Sequence, residues 1–144
     1  MPKIYLNCPV ETFSPRAKNE LAEELTTIAL NVEGLPDTPF VRSTCWIYMN
    51  EYPAANVYHR GVSGGTKVIS LEVNAFEGGL DIASKQLLIE KFTISIRKHA
   101  GLKPDELAPV YIVIRDVPQA NWGVFGKTIT LADLRNPPAD AKAI

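Results

Sequence analysis

The apolar residues of this chain follow two alternating kinds of pattern. Four short runs have the composition of β-strands: one contains Ile4 and Leu6, and the others read WIYMN, KVISLEV and YIVIR. Between the first two runs, and again between the last two, apolar residues recur every three or four positions, which is typical of one helix face. These residues are Ala17, Leu21, Leu25 and Ile28 in the first stretch, and Leu88, Phe92 and Ile96 in the second. The pattern predicts strand, helix, strand, twice over.

The ends of both helical stretches carry recognisable signals. Ser14 followed by Pro15 is a good N-cap with proline in the first helical turn. The first stretch then ends near Gly34, which suits the left-handed conformation that often terminates a helix. The second stretch spans Ile82 to Ala100 and stops at another glycine, Gly101. We therefore predict two helices with these bounds.

The chain also repeats itself. The segments WIYMNEYPAANV and YIVIRDVPQANW each read as an apolar strand followed by acidic-x-Pro-x-Ala-Asn. Their prolines, Pro53 and Pro118, are 118 − 53 = 65 residues apart, and the same offset places Ile4 on Ile69. Matches at the strand, at the helix stop and at the turn are too many for chance, so this is a duplicated unit.

Each repeat is a β-α-β unit, in which the two strands pair in parallel and the helix crosses one sheet face. Two such units side by side predict an α+β fold: a four-stranded sheet with two helices on one face. We expect a single domain, 1–144, with repeat units at about 2–66 and 67–127 and a C-terminal tail at 128–144. The other sheet face keeps apolar rows, which predicts an association surface and an oligomer.

The composition and charge of the chain exclude several classes of function. The 144 residues suit one domain, and 15 basic against 16 acidic side chains give a net charge of −1. A chain with this balance of charge lacks the excess of basic residues that binding to nucleic acid or to an anionic membrane requires. No apolar run approaches the ~20 residues of a membrane span, and the opening residues lack the apolar region of a signal peptide. Cys8 and Cys45 follow no metal spacing, so we expect reduced thiols, no metal and a cytoplasmic location.

Pro2 is the residue with the most chemical interest, and it has two interpretations. Proline is tolerated as the first residue of a strand for structural reasons alone. Alternatively, removal of Met1 would leave Pro2 with a free secondary amine at the mouth of the first strand.

With Pro2 and the stretch RDVPQANWGVFGK, the chain resembles the tautomerase superfamily over residues 2–127. The first half, with SPRAK and NEYPAANVY, is similar to the fused cis-3-chloroacrylic acid dehalogenase group. The second half resembles the short 4-oxalocrotonate tautomerase type. The resemblance implies a trimeric tautomerase fold, and it implies Pro2 as the catalytic base with no cofactor.

An N-terminal proline suits this chemistry. An α-amine titrates at about 7.7–8.0, and burial lowers the pKa towards the value at which a general base works best. The same amine could instead attack a carbonyl carbon, as amines do in Schiff-base chemistry. At the equivalent position of the second unit stands Lys67, which lies inside the chain and has no free α-amine. We therefore expect one proline site per subunit.

Four further residues are candidates for binding an acidic substrate. Arg115 ends the last predicted strand on the same face as Tyr111, where it either stabilises an oxyanion or is merely solvated. By the resemblance, Tyr111 stands where the short tautomerases have a substrate-binding arginine, and Trp122 stands at an aromatic position that lines their pocket. Tyr48 lies on the equivalent face of the first unit. The alternative for each of these aromatic residues is a role in packing, either in the core or at a subunit interface.

The chain departs from the dehalogenases at the positions where they carry a histidine, two arginines and a glutamate. By alignment these are Ala29, Phe76, Gly79 and Val124 here. Without the arginines there is no bidentate grip on a carboxylate, and the pocket should be more apolar. We expect a keto-enol tautomerase acting on a 2-oxo acid or a related unsaturated acid. A hydratase, dehalogenase or decarboxylase with a rearranged pocket, and an inactive trimeric binding or structural protein, remain the alternatives.

Overall fold

A computed structural model describes residues 2–64 and 67–144 of the chain. The strands in this part are β1 Lys3–Pro9, β2 Trp46–Tyr52, β3 Tyr58–His59, β4 Val62–Ser63, β5 Ile69–Phe76, β6 Val110–Val117, β7 Gly123–Val124 and β8 Lys127–Thr128. The helices are α1 Pro15–Glu33, α2 Pro39–Ser43, α3 Ile82–His99 and α4 Leu131–Arg135. Single 3-10 turns at Ala54–Asn56 and Gln119–Asn121 follow the two equivalent prolines.

The main sheet has four strands in the order β2-β1-β5-β6. β1 pairs in parallel with β2, and β5 pairs in parallel with β6, as expected for two β-α-β units. The two units join through an antiparallel pair, β1 with β5, in which Leu6 faces Leu71. The predicted α+β architecture of a four-stranded sheet carrying two helices is confirmed.

The helix boundaries follow from their caps. The Ser14 side chain accepts a hydrogen bond from the Ala17 backbone N–H at 3.1 Å, and the helix ends at Gly34, whose φ of 65° is left-handed. The Asp81 side chain accepts a bond from the Ser84 backbone N–H at 2.7 Å and opens α3. Each cap satisfies a backbone N–H that the helix itself leaves without a partner. The sequence pattern placed both helices correctly.

The core lies between the sheet and the pair α1–α3. Side chains that alternate along β1 and β5 meet the apolar stripes of both helices. The buried members are Ile4, Leu6, Cys8, Phe13, Leu21, Leu25, Ala29, Ile69, Leu71, Val73, Ala75, Leu80, Leu88, Phe92 and Ile96. A second cluster lies at the end of the sheet where β1 begins: Leu30, Leu35, Val41, Phe76, Trp122, Leu131 and Leu134.

Several short elements were not predicted from the sequence. α2 and α4 begin at threonine N-caps, Thr38 and Thr130, and the hairpins β3–β4 and β7–β8 follow the two 3-10 turns. α4 lies inside the segment that we expected to be a tail, and it contributes two buried leucines to the second cluster. Beyond it the chain returns to its own fold, where the Ile144 backbone N–H donates to Ser43 Oγ at 2.9 Å.

The face of the sheet opposite α1 and α3 is open. Trp46, Tyr48, Tyr111 and Val113 are all exposed there, as the apolar rows of the sequence predicted. Among the described residues, no helix combines the length and the apolar character that a membrane span requires.

Candidate active site

One row of side chains crosses the open face near the start of β1. Lys3 is paired with Trp46 on β2 and with Asn74 on β5, and Asn74 is paired in turn with Arg115 on β6. Because paired residues share a side of the sheet, these four side chains stand next to one another. They line a cavity of about 590 Å³. Two of the four are cations.

Several aromatic side chains line this cavity. Tyr5 and Tyr48 form the floor one row further along, with stacked rings 5.2 Å apart, and Glu72 lies beside them. The far wall comes from the segment between the end of β6 and the hairpin β7–β8. It comprises Val117, Asn121, Trp122, Gly123, Val124 and Phe125. The cavity is therefore built from both repeat units.

Lys3 and Arg115 carry the positive charge of the cavity. Lys3 Nζ lies 5.2 Å from the ring centroid of Tyr5 and 5.7 Å from that of Tyr48, within cation–π distance. A hydrogen bond with the Tyr5 side chain raises the pKa of Lys3. Arg115 lies 3.3 Å from a Glu72 carboxylate oxygen and stays largely exposed. Two strand spacings place the two cations on backbones about 10 Å apart.

Trp122 joins the cavity to the second core cluster. Its indole N–H donates to the Val117 carbonyl oxygen at 3.2 Å, and its ring packs on Phe76 with centroids 4.8 Å apart. Only 8% of the residue is exposed. Trp122 is therefore a fixed wall, serving both as a cavity lining and as core.

The remaining candidate residues separate into two groups. Tyr48 lines the cavity together with Arg115 and Trp122. Tyr111 does not, because it pairs with Ser70 at the opposite end of the sheet, where it is exposed. The structure thus brings three of the four predicted binding residues together.

Pro2 lies directly beside the cavity without lining it. Pro2 is buried, and its carbonyl oxygen accepts a hydrogen bond from the Trp46 backbone N–H at 3.3 Å. Its neighbours Lys3 and Trp46 are both lining residues. Met1, on whose removal the amine depends, lies outside the described residues.

A smaller cavity of about 290 Å³ lies at the other end of the sheet, and the sequence repeat relates it to the first. Its lining residues Val68 and Ser70 are equivalent to Lys3 and Tyr5, since 3 + 65 = 68 and 5 + 65 = 70. None of its described lining residues is a lysine, arginine or histidine. The cationic character is therefore particular to the cavity at the start of β1.

Two lining residues, Lys3 and Asn74, were missed by the sequence reasoning. A signal for Lys3 was present: it alternates with the core residue Ile4 and so must face away from the helices. Of the positions that depart from the dehalogenases, Val124 lines the cavity while Phe76 is buried behind its wall. The described residues contain no group of three or more His, Cys, Asp or Glu able to hold a metal ion.

Comparison with known proteins agrees with this architecture. The tautomerase enzyme family matches residues 70–132, most of the second repeat unit. The chain is similar to a fused 4-OT that forms a wild-type asymmetric trimer, at 21% identity and a TM-score of 0.72, covering 88% of this chain and 94% of that one. It is also similar to a member of the cis-3-chloroacrylic acid dehalogenase family, at 16% identity and a TM-score of 0.73, covering 89% and 83%.

A third similar structure is the macrophage migration inhibitory factor of Toxoplasma gondii. It is 15% identical with a TM-score of 0.69, and the match covers 88% of this chain and 99% of that one. At these identities the likeness establishes the fold rather than the reaction. No curated protein matches the sequence.

Proposed function

We propose that this chain, a tandem tautomerase-superfamily protein, is an isomerase that interconverts the keto and enol forms of a small acid. In this proposal Pro2 is the general base, after Met1 has been removed. The observation that carries the proposal is a buried Pro2 at the edge of a cavity that holds two cations and aromatic walls.

The proton transfer needs few groups. The unprotonated Pro2 nitrogen takes a proton from the carbon next to the carbonyl, and the C–H electron pair becomes the enol double bond. Negative charge moves to the carbonyl oxygen, and the resulting ammonium then returns a proton to carbon or to oxygen. Burial favours the neutral amine that begins this cycle, because a charged nitrogen is costly away from water.

Lys3 and Arg115 are the groups that suit a substrate carboxylate and a developing oxyanion. They flank Asn74, whose amide adds a neutral donor between two charges. Donors aimed at the position where charge develops act most strongly where water is excluded, and Trp122 and Tyr48 supply such a wall. We infer a 2-oxo acid, or a related unsaturated acid, with an apolar substituent.

The proposal includes a homotrimer. Two exposed apolar rows on the open face and the unpaired edges of β2 and β6 favour association. Tyr111 lies outside the cavity of its own subunit, so any role in binding requires it to reach the cavity of a neighbour.

The test compares Pro2→Ala with the wild-type chain on an enol substrate, followed by loss of enol absorbance. General-base catalysis contributes about 10²- to 10⁴-fold, so we expect at least a hundredfold loss of rate. Lys67→Ala, at the repeat-equivalent position, is the matched control and should leave the rate unchanged. Equal rates for Pro2→Ala and wild type would refute the proposal, as would an intact mass that still includes Met1.

A second candidate is a trimeric binding protein without catalysis. It is favoured by the uncharged residues at Ala29, Phe76, Gly79 and Val124. This candidate predicts that an unsaturated acid binds the cavity and quenches the fluorescence of its tryptophans, while no enol, unsaturated acid or halo acid is turned over.

A further inference from the structure

Glu33 is a carboxylate where the helix pattern calls for an apolar residue. It ends a stripe of α1 residues spaced four apart: Leu21, Leu25, Ala29 and Glu33, all buried. Only 4% of Glu33 is exposed, and no other acidic residue in the described part of the chain is buried. A charge withdrawn from water is costly unless an opposite charge or hydrogen-bond donors compensate it. Glu33 therefore brings a carboxylate to the buried face of α1.

The carboxylate lies at the end of the sheet where β1 and β2 begin and β5 ends. One of its oxygens lies 3.8 Å from the place that a Cβ on Gly79 would occupy, just beyond β5. Burial raises the pKa of the Cys45 thiol, and Glu33 is one of the charged groups that act on it. Cys45 directly precedes β2 and packs against the second core cluster.

Pro2 faces the same region. Lys3 pairs with Trp46 on one side and Asn74 on the other, so one step back along the strands places Pro2 between Cys45 and Ala75. Successive strand residues point to opposite sides, and Pro2 therefore shares the helix-facing side with Ile4. Both are buried, as that placement requires. Pro2 and Glu33 thus lie at the same end of the sheet, Pro2 ahead of β1 and Glu33 at the end of the helix that packs on it.

We propose that Glu33 is a positioning residue whose carboxylate accepts a hydrogen bond from the Pro2 ammonium and holds it by charge. The inference rests on the proposed function, in which Pro2 is the base. During the cycle the proton moves from substrate carbon to the Pro2 nitrogen and back to substrate, while Glu33 only accepts its hydrogen bond. The pair fixes the direction of the nitrogen and makes the protonated intermediate less costly.

The consequence for titration follows from two opposing effects. Burial by itself lowers the pKa of an amine, whereas an opposite charge within about 4–6 Å raises it by about 1–3 units. Glu33 therefore keeps the Pro2 pKa from falling too far below the pH at which a general base works best. The other charged side chain that acts on Cys45 is Arg42, which is paired with Glu23 and Asp37.

The experiment measures the Pro2 pKa by 15N NMR in full-length protein from which Met1 has been removed. We expect Glu33→Gln to lower that pKa by about one unit or more and Glu33→Asp to restore part of the loss. Glu90→Gln removes the same charge from an exposed position of α3 and should leave the Pro2 pKa unchanged. An unchanged Pro2 pKa in folded Glu33→Gln would overturn the proposal.

A measurement on the wild-type chain covers the case in which Glu33→Gln does not fold. The 13C carboxyl resonance of Glu33 should shift as Pro2 titrates, and a resonance that ignores this titration would overturn the pairing. Neither readout needs turnover, so a shifted pKa without any activity retains the pair and refutes only the tautomerase. Pro2-dependent turnover together with an unchanged Pro2 pKa in Glu33→Gln retains the tautomerase and refutes the pair. Retention of Met1 overturns both.

Discussion

The two tryptophans of this chain provide a matched test of the cavity wall. The indole N–H of each donates to a backbone carbonyl, Trp122 to Val117 at 3.2 Å and Trp46 to Ser43 at 2.9 Å. The difference is burial, since Trp122 is 8% exposed and Trp46 is 46% exposed. Replacing each with alanine removes the same side chain and a similar hydrogen bond from different surroundings.

The structure gives the expected magnitudes. Truncating a buried tryptophan costs about 3–5 kcal/mol in the free energy of unfolding, and loss of contact with Phe76 places Trp122→Ala in that range. Trp46→Ala loses about half as much buried apolar area together with one hydrogen bond, so we expect about 1–2 kcal/mol. Trp122 thus contributes to stability as well as to the cavity.

The assay is urea unfolding followed by far-UV circular dichroism, which does not depend on the tryptophan that has been removed. With a slope of about 1–3 kcal/mol per molar, Trp122→Ala should lower the midpoint by about 1 M or more. All samples need one protein concentration, because association would add to the stability of each variant. Equal losses for the two variants would refute the distinction between a core wall and an open face.

Two further predictions concern charge. Lys3→Met and Arg115→Met should each lower kcat/KM for an acidic substrate about tenfold or more, because a charged hydrogen bond to the substrate carboxylate or oxyanion contributes about 1.5–3 kcal/mol. Lys91→Met, on the exposed side of α3, should leave kcat/KM unchanged, and equal behaviour of all three variants would exclude the cations from binding. Hydrogen bonds from the Ser84 backbone N–H and hydroxyl hold the pKa of Asp81 in the folded protein below its ordinary value. The ionised cap therefore stabilises the fold fully above the unfolded pKa of about 3.9, and this stabilisation is lost as the pH falls through the lower pKa of the folded state. Measured by circular dichroism, Asp81→Ala should lower the melting temperature at pH 7 but not near pH 2. Ser14→Ala, at an uncharged cap, is the control and should lower the melting temperature at both pH values. A melting temperature of Asp81→Ala that is still lowered near pH 2 would contradict this.

Local signals in the sequence predicted the two repeat units well. The stripe from Leu21 to Ile28 and the caps at Ser14 and Gly34 depend on neighbours within a few turns, so they can be recognised without knowing the fold. The internal repeat extended this reading to the second unit and to the parallel pairing within each unit. The short elements escaped because α2 and α4 have five residues each, too few for a periodic pattern.

The cavity is a different matter, because its members come from strands that are distant along the chain. By itself the sequence determined the duplicated β-α-β pattern and the apolar rows of the sheet. Only the tertiary structure decided that β1 lies antiparallel to β5, which places Lys3 beside Asn74 and, across it, Arg115. It also decided that Glu33 ends its helix beside Gly79, just beyond the end of β5. The alternating pattern of a strand decides which face each side chain takes, but it does not decide which distant strand lies alongside or in which direction.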